Sequence, residues 1–348
     1  MNDFKRIFKN TSNSFITRIS VPLSSFVLVF FIAKYLGVRG LGKFSSAFSL
    51  FYIFQGFASL GLSQLIIREV VQNKSQAGKY LINSTLILIV SSGIMAGIMC
   101  LVANFITNEK ETIYVIYILS IALIPDALSA GYQSICKAFE RFEYVTISTL
   151  LGSIIKLIVG FFVLITGKGL VILMVVILFS SFIILLISLY YSLRLVQETS
   201  KKLELTFCKR ILLASPYFAL TIIIATIRAN IDVIILIKLM GEEQVGLYSL
   251  AIKLMNICNL GISSYIMALQ PVLFQLFKTK REKYESLSED SIRYLFILVI
   301  PIVTGTTLLS DRFILLIFDQ EYDSCFKLRS DYGGKLPARE KMRHPLVT

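Results

Sequence analysis

The sequence predicts an all-α membrane protein, a polytopic bundle of transmembrane helices made of two parallel repeats, the second of them incomplete. Of the 348 residues, 55% are hydrophobic and 16% are charged, and the mean hydropathy is +0.75. A soluble core cannot absorb that much apolar sequence. Apolar runs of about 20 residues, long enough to cross a bilayer, recur along most of the chain. One segment near the start also recurs in the second half.

The apolar runs place nine candidate spans along the chain. They cover residues 15–36, 44–67, 80–106, 113–136, 145–166, 169–195, 211–240, 246–274 and 291–317. The first span follows Lys5, Arg6 and Lys9, as the apolar segment of a signal peptide does. No cleavage pattern follows it and the next span begins at once, so we expect it to remain as a signal anchor.

The net charge of +13 is explained by sidedness. If the N-terminus is cytoplasmic, the inner segments carry nineteen Lys and Arg residues and the outer loops carry six. The positive-inside rule therefore predicts a cytoplasmic N-terminus. Much of the basic excess reflects topology, so it does not indicate a nucleic-acid partner.

An internal repeat is the most informative feature of the sequence. Residues 34–50 (KYLGVRGLGKFSSAFSL) align without gaps with residues 238–254 (KLMGEEQVGLYSLAIKL) at an offset of 204. The identical pairs are Lys34/Lys238, Gly37/Gly241, Gly42/Gly246, Ser45/Ser249, Ala47/Ala251 and Leu50/Leu254. Because six spans separate the copies, the two halves share one orientation, and we expect an axis along the membrane normal with substrate between the lobes.

These boundaries predict three regions. Residues 1–200 form an N-terminal lobe of six helices, residues 205–322 form a partial C-terminal lobe of about three, and residues 323–348 form a polar tail. The tail carries nine charged residues and only five of Leu, Met and Val, so no helix can span there.

The G-x4-G-x-F/Y-S-x-A turn of each half, ASLGLSQLIIREV (58–70) and CKAFERFEYVTI (136–147) resemble the polysaccharide exporters of the multidrug/oligosaccharidyl-lipid/polysaccharide (MOP) superfamily. The chain is most similar to O-antigen flippases of Wzx type, and the resemblance runs from about residue 1 to 322. It implies a bacterial inner-membrane protein that works with lipid-linked oligosaccharide, membrane lipids, a polysaccharide polymerase and a chain-length regulator.

The resemblance weakens at residue 319. The segment FDQEY (318–322) resembles the family's F-G-x-x-Y with Asp319 in place of glycine, and family members usually carry twelve helices rather than nine. We therefore expect a C-terminally shortened second half, for which an altered reading frame is a plausible cause.

Charged residues inside the spans are the first candidate site residues, because charge in a bilayer is costly and marks function when it faces a cavity. Lys156 and Lys253 have no acid close by in sequence, and with Arg228 they are candidate substrate-binding cations. Asp232 lies four residues after Arg228 and can pair with it along one helical face. Asp126 follows Pro125, and Asp126 and Asp232 are candidates for ion coupling. For each residue a structural reading stays open: mutual neutralisation for Arg228 and Asp232, and a helix kink at Asp126.

Four polar residues form a second group of candidates. Gln55 and Ser59 pair with Asn259 and Ser263 at the repeat offset, and each pair lies four residues apart on one helical face. They line the cavity or form interhelical hydrogen bonds. The five cysteines form no CxxC pair and the single histidine lies in the tail, so the sequence predicts no metal site and no cofactor.

The residues and the resemblance together favour a flippase that moves an undecaprenyl-diphosphate-linked oligosaccharide to the periplasmic leaflet by alternating access, and no catalysis. Three bases against two acids suit an anionic head group. A multidrug antiporter of the same superfamily is an alternative, although three bases against two acids disfavour cationic drugs. A membrane polymerase or glycosyltransferase would need a sizeable outer loop. An inactive truncated remnant is the remaining alternative.

The sidedness can be tested with reporter fusions. Alkaline phosphatase fused after Lys168, in an outer loop, is expected to be active, and the same enzyme fused after Arg141, in an inner segment, is expected to be inactive. Fluorescent-protein fusions at the same two positions serve as controls and should give the opposite pattern. An active phosphatase at Arg141 would overturn the predicted orientation.

Overall fold

A computed structural model describes residues 3–196, 203–279, 285, 287–297, 299–301 and 303–305. These residues form an all-α fold, as predicted, and no strand occurs among them. The elements, in chain order, are α1 (Asp3–Ser59), α2 (Leu62–Gln72), a short 3-10 turn (Lys74–Gln76), α3 (Ala77–Ile106), α4 (Lys110–Ala138), α5 (Phe142–Ile165), α6 (Gly169–Leu195), α7 (Leu205–Ala214), α8 (Pro216–Met240) and α9 (Glu242–Thr279).

Within these ranges, six helical segments are long and apolar enough to cross a membrane. They are Ile19–Gln72, Lys74–Ile106, Lys110–Ala138, Phe142–Ile165, Gly169–Leu195 and Pro216–Met240. The first has 54 residues and contains two of the predicted spans. Large apolar side chains such as Phe105, Phe162 and Leu186 are exposed, as expected for surfaces that face lipid. The chain is a multi-pass membrane protein.

The helices break at three places, one between the first two predicted spans and two inside predicted spans. Gly37 interrupts α1 with φ 68° and ψ −174°, a conformation that favours glycine. The predicted span 44–67 ends early, because Leu60 and Gly61 adopt positive φ before α2 begins. The predicted span 211–240 is divided between α7 and α8, and Pro216 occupies the first turn of α8, where its missing N–H costs nothing.

The predicted span 246–274 lies inside α9, and the predicted span 291–317 is described only in part, where it is helical. The tail 323–348 lies outside the described residues, so the expected shortening of the second half stays a prediction. The chain divides into two units, Met1–Ser264 and Tyr265–Thr348. All of the contacts that follow lie within the first unit.

Helix α4 is the central element of the first unit. It packs against α1, α2, α3, α5 and α6. An apolar cluster that includes Leu65, Leu81 and Ile135 joins α2, α3 and α4, and Phe207 of α7 belongs to the same cluster. This cluster holds α7, which follows the link between the halves, against the first six helices.

The repeated turns meet each other. Gly241 adopts φ 84° and ψ −175°, close to the values at Gly37, so the two copies share one backbone conformation. A Cβ atom on Gly42 would lie 1.7 Å from the carbonyl oxygen of Glu242, and one on Gly246 would lie 2.1 Å from that of Val38. Val38 and Glu242 are themselves related by the offset of 204. Each copy therefore contacts the other through the same pair of positions, as a two-fold relation requires.

The close approach can be tested with Gly42→Ala. The added methyl group cannot fit against the Glu242 backbone, so we expect a loss of about 1–3 kcal/mol, measured as a lower thermal midpoint in detergent. Gly97→Ala is the matched control, because a Cβ atom there meets nothing within 4 Å. Equal midpoints for the two variants would contradict the contact.

Candidate functional site

A cavity of about 140 Å³ lies between α1, α5, α8 and α9. Sixteen of its eighteen lining residues form pairs separated by 204 positions. The pairs are Ser25/Ala229, Leu28/Asp232, Val29/Val233, Phe44/Tyr248, Ser45/Ser249, Phe48/Ile252, Ser49/Lys253 and Tyr52/Asn256, and only Lys156 and Asn230 stand outside this pairing. The cavity therefore lies on the axis that relates the two copies of the repeat.

The cavity is symmetric in its backbone and asymmetric in its charge. Lys253 stands opposite Ser49, and Asp232 stands opposite Leu28. The described residues of the first copy contribute no charged side chain to the lining, and α5 adds Lys156. Two bases face one acid, so the lining carries a positive excess.

The two lysines differ in their surroundings. Lys156 interacts electrostatically with Asp126 of α4 and with Lys253. Within the described ranges, neither lysine forms an ion pair or a hydrogen bond. With respect to the described residues, both ammonium groups keep their donors free for a ligand.

Asp126 lies next to the cavity and not in its lining. The Ser181 hydroxyl of α6 is placed to donate to its carboxylate, and the opposite charge of Lys156 acts on it. Tyr52, which lines the cavity, also lies within electrostatic range of Asp126. The predicted ion-coupling residue and a predicted substrate cation are thus neighbours.

The predicted pairing of Arg228 with Asp232 is not formed. The Tyr248 hydroxyl donates to one carboxylate oxygen of Asp232, and the Val233 amide donates to the other at 2.9 Å. Arg228 is exposed and does not line the cavity. Helical spacing alone allowed the ion pair, but the carboxylate of Asp232 accepts a hydrogen bond from a tyrosine of the next helix instead.

Three of the four polar candidates, Gln55, Ser59 and Asn259, do not line the cavity. Gln55 is half-buried, and the Ser59 hydroxyl donates to the Gly56 carbonyl at 2.9 Å within its own helix. Asn259 is exposed, and the side chain of Ser263 lies outside those that the structure describes. The face of α1 that lines the cavity contains Tyr52, which lies three residues before Gln55.

The sequence reasoning missed the residues of the cavity that carry no charge. Tyr52, Tyr248 and Asn256 line it, as do Ser45 and Ser249. The repeat offset contained the necessary signal, because subtracting 204 from Lys253 gives Ser49, whose neighbours on the same helical face are Ser45 and Tyr52.

A polar cluster lies beside the cavity where the two turns meet. Glu242 is nearly fully buried and accepts a hydrogen bond from the Thr112 hydroxyl. Arg39 Nε lies 3.5 Å and Lys43 Nζ lies 3.9 Å from the Glu242 carboxylate. The same two bases bind the start of α4, Arg39 to Glu109 at 2.5 Å and Lys43 to Glu111 at 2.7 Å. This cluster, which we call the turn cluster, connects both copies of the repeat.

Comparison with known proteins gives a family and a fold. The family model described as "Polysaccharide biosynthesis protein" matches residues 7–277. No curated protein matches the chain.

Among solved structures, an inward-facing MATE family multidrug resistance transporter of the MOP superfamily is 17% identical and has a TM-score of 0.65 over 87% of this chain and 75% of that one. An outward-facing structure described in the same words is 16% identical, with a TM-score of 0.58 over 92% and 76%. A MOP superfamily transporter from Pyrococcus furiosus, described as having a binding pocket of reverse polarity, is 14% identical, with a TM-score of 0.55 over 89% and 75%. These three likenesses show that the chain shares the fold.

The proximity of Asp126 and Lys156 predicts energetic coupling. Asp126→Asn leaves the Lys156 ammonium uncompensated, and Lys156→Met leaves the Asp126 carboxylate uncompensated. We therefore expect the two single losses of stability to add up to more than the loss in the double variant. We expect a coupling of about 1 kcal/mol in a double-mutant cycle of thermal midpoints. Asp126→Asn combined with Arg228→Met is the control and should be additive. Additivity in both cycles would show that the two charges do not interact.

Proposed function

Because the chain belongs to the polysaccharide biosynthesis protein family, we propose that it carries an undecaprenyl-diphosphate-linked oligosaccharide across the bacterial inner membrane. The cargo is the repeat unit of an O-antigen or a related polysaccharide, delivered to the periplasmic leaflet, where a polymerase and a chain-length regulator can use it. This is the activity of a Wzx-type flippase.

The charge of the axial cavity is the observation that carries this proposal. Lys156 and Lys253 present two ammonium groups to the cavity, and Asp232, the one acid among its described lining residues, is already bound by Tyr248 and by a backbone amide. Ammonium groups bind phosphate as point charges and need no chemistry to do so. A diphosphate fits this arrangement, and its lipid tail would remain in the bilayer.

The size of the cavity supports a mechanism with more than one conformation. Its volume of about 140 Å³ is smaller than the roughly 300–1,000 Å³ of pockets that hold drug-sized ligands. A phosphate group fits and an oligosaccharide does not, so transport requires the lobes to move apart. Rocking of one repeat against the other about a central site supplies this movement.

The state that the structure represents is closed at the repeated turns. Backbone contacts at Gly42 and Gly246 and the turn cluster hold the two copies together there. With a cytoplasmic N-terminus these turns lie on the outer side, and their closure is the arrangement that an inward-facing state requires.

A multidrug antiporter is the second candidate function, because two of the structural neighbours are described as multidrug resistance transporters. The two candidates differ in the charge that they require of the cavity. Removing a lysine weakens the binding of an anionic cargo and improves the binding of a cationic one.

The proposal is tested in a host that lacks its own flippase. We expect Lys156→Ala and Lys253→Ala each to lower surface polysaccharide at least about tenfold, since each removes a charge-assisted contact to the diphosphate. Arg228→Ala is the matched control, because it removes a base from outside the cavity, and it should display polysaccharide as the unchanged chain does. Protein levels are measured in the same cells.

Two results would overturn the proposal. Normal display by both lysine variants would show that the cavity does not hold the diphosphate. Drug resistance conferred by the unchanged chain, and increased by the lysine variants, would favour the antiporter.

A further inference from the structure

Two hydroxyl groups in the axial cavity lack a partner. Ser45 and Ser249 are 7% and 5% exposed, both line the cavity, and neither hydroxyl oxygen has a hydrogen-bond partner in the part of the chain that the structure describes. They are the same position of the repeat, 204 residues apart. Among the described side chains, these two are the only fully buried polar atoms without a partner.

The neighbouring Ser46 shows that a serine in this helix can satisfy its hydroxyl within the helix. The Ser46 hydroxyl donates to the Gly42 carbonyl at 2.9 Å, the usual way for a serine inside a helix to satisfy its hydroxyl. Ser45 and Ser249 do not form this bond, although both residues line the cavity. A buried hydroxyl without a partner costs free energy, and the cost recurs at both copies, so the arrangement indicates a ligand that repays it.

The surroundings of the two hydroxyls define the charge of that ligand. The lysines Lys156 and Lys253 line the same cavity and repel a cation, and Asp232 is occupied by Tyr248. Two hydroxyl donors and two ammonium groups form a donor-rich site for an oxyanion. Because the hydroxyls are related by the repeat axis, they suit a group with equivalent oxygens on either side of that axis.

We propose that Ser45 and Ser249 form a two-pronged hydrogen-bonding site for one phosphate group, held on the repeat axis. The proposal rests on the proposed function, because it assigns the atoms that bind the diphosphate. It differs from the lysine contacts, which supply charge without direction, because the hydroxyls fix where on the axis the phosphate lies. Both copies of the repeat then contribute equally to binding.

Binding is measured by calorimetry on the full chain in nanodiscs of phosphatidylcholine, with farnesyl diphosphate and inorganic diphosphate as probes and farnesol as the uncharged control. We expect Ser45→Ala and Ser249→Ala each to weaken the binding of farnesyl diphosphate about tenfold, and the double variant to weaken it further. Ser46→Ala is the matched control and should bind as the unchanged chain does, because its hydroxyl is satisfied within its own helix. Tighter binding of farnesyl diphosphate than of inorganic diphosphate would identify the lipid-linked group as the source of the phosphate, and the reverse would identify the free ion.

Unchanged affinity in the double variant would overturn the proposal and show that the hydroxyls hold only water. Absence of diphosphate binding by the unchanged chain would also overturn it. Neither result decides the proposed function, because surface polysaccharide in the flippase-deficient host is scored independently. Loss of display in the lysine variants together with normal binding in the serine variants would leave the flippase in place and remove only the serine site.

Discussion

The fold of the first unit depends on the approach of two backbones at the repeated turns. Gly42 packs on the Glu242 carbonyl and Gly246 packs on the Val38 carbonyl, at separations that no side chain would allow. Gly37 and Gly241 provide the conformation from which each following helix departs. Because these contacts fix the starting points of the second leg of α1 and of α9, they also fix which faces of those helices turn towards the axis and line the cavity.

A symmetric frame with asymmetric chemistry follows from this constraint. The backbone positions of the cavity come in pairs, but Lys253 replaces a serine and Asp232 replaces a leucine in the second copy. Packing constrains the backbone to remain two-fold, whereas a side chain that faces the cavity contacts few neighbours and can change without disturbing the helices. The site thus combines a shared pair of serines with charges that only one copy supplies.

The sequence was sufficient to predict the helical class and most of the helix positions, and it selected Lys156, Asp232 and Lys253 as candidates, which the structure places in the lining of the cavity. It was not sufficient to predict the partner of Asp232. Arg228 lies one helical turn away, but Tyr248 comes from the next helix. The sequence of a single helix does not show whether its acid binds a base one turn away or a residue of another helix. The break at Gly61 was hidden for a similar reason, because the apolar run continues through it.

The same limit applies to uncharged polar residues. Gln55 and Tyr52 lie three residues apart, and only the rotation of α1, set at the turns, decides that Tyr52 faces the cavity. Ser45 and Ser249 were visible as identical positions of the repeat. Their lack of a partner was not, since the sequence does not show which helical hydroxyls bond to their own backbone.

The turn cluster also bears on how the halves recognise each other during folding. Arg39 and Lys43 belong to the first copy, and the corresponding positions of the second copy are Glu243 and Leu247, while the acid Glu242 replaces Val38. Two first halves brought together would place like charges against each other and leave them without the Glu242 carboxylate. The two copies of the turn are therefore complementary in charge, which favours the pairing of unlike halves over the pairing of like halves from two neighbouring chains.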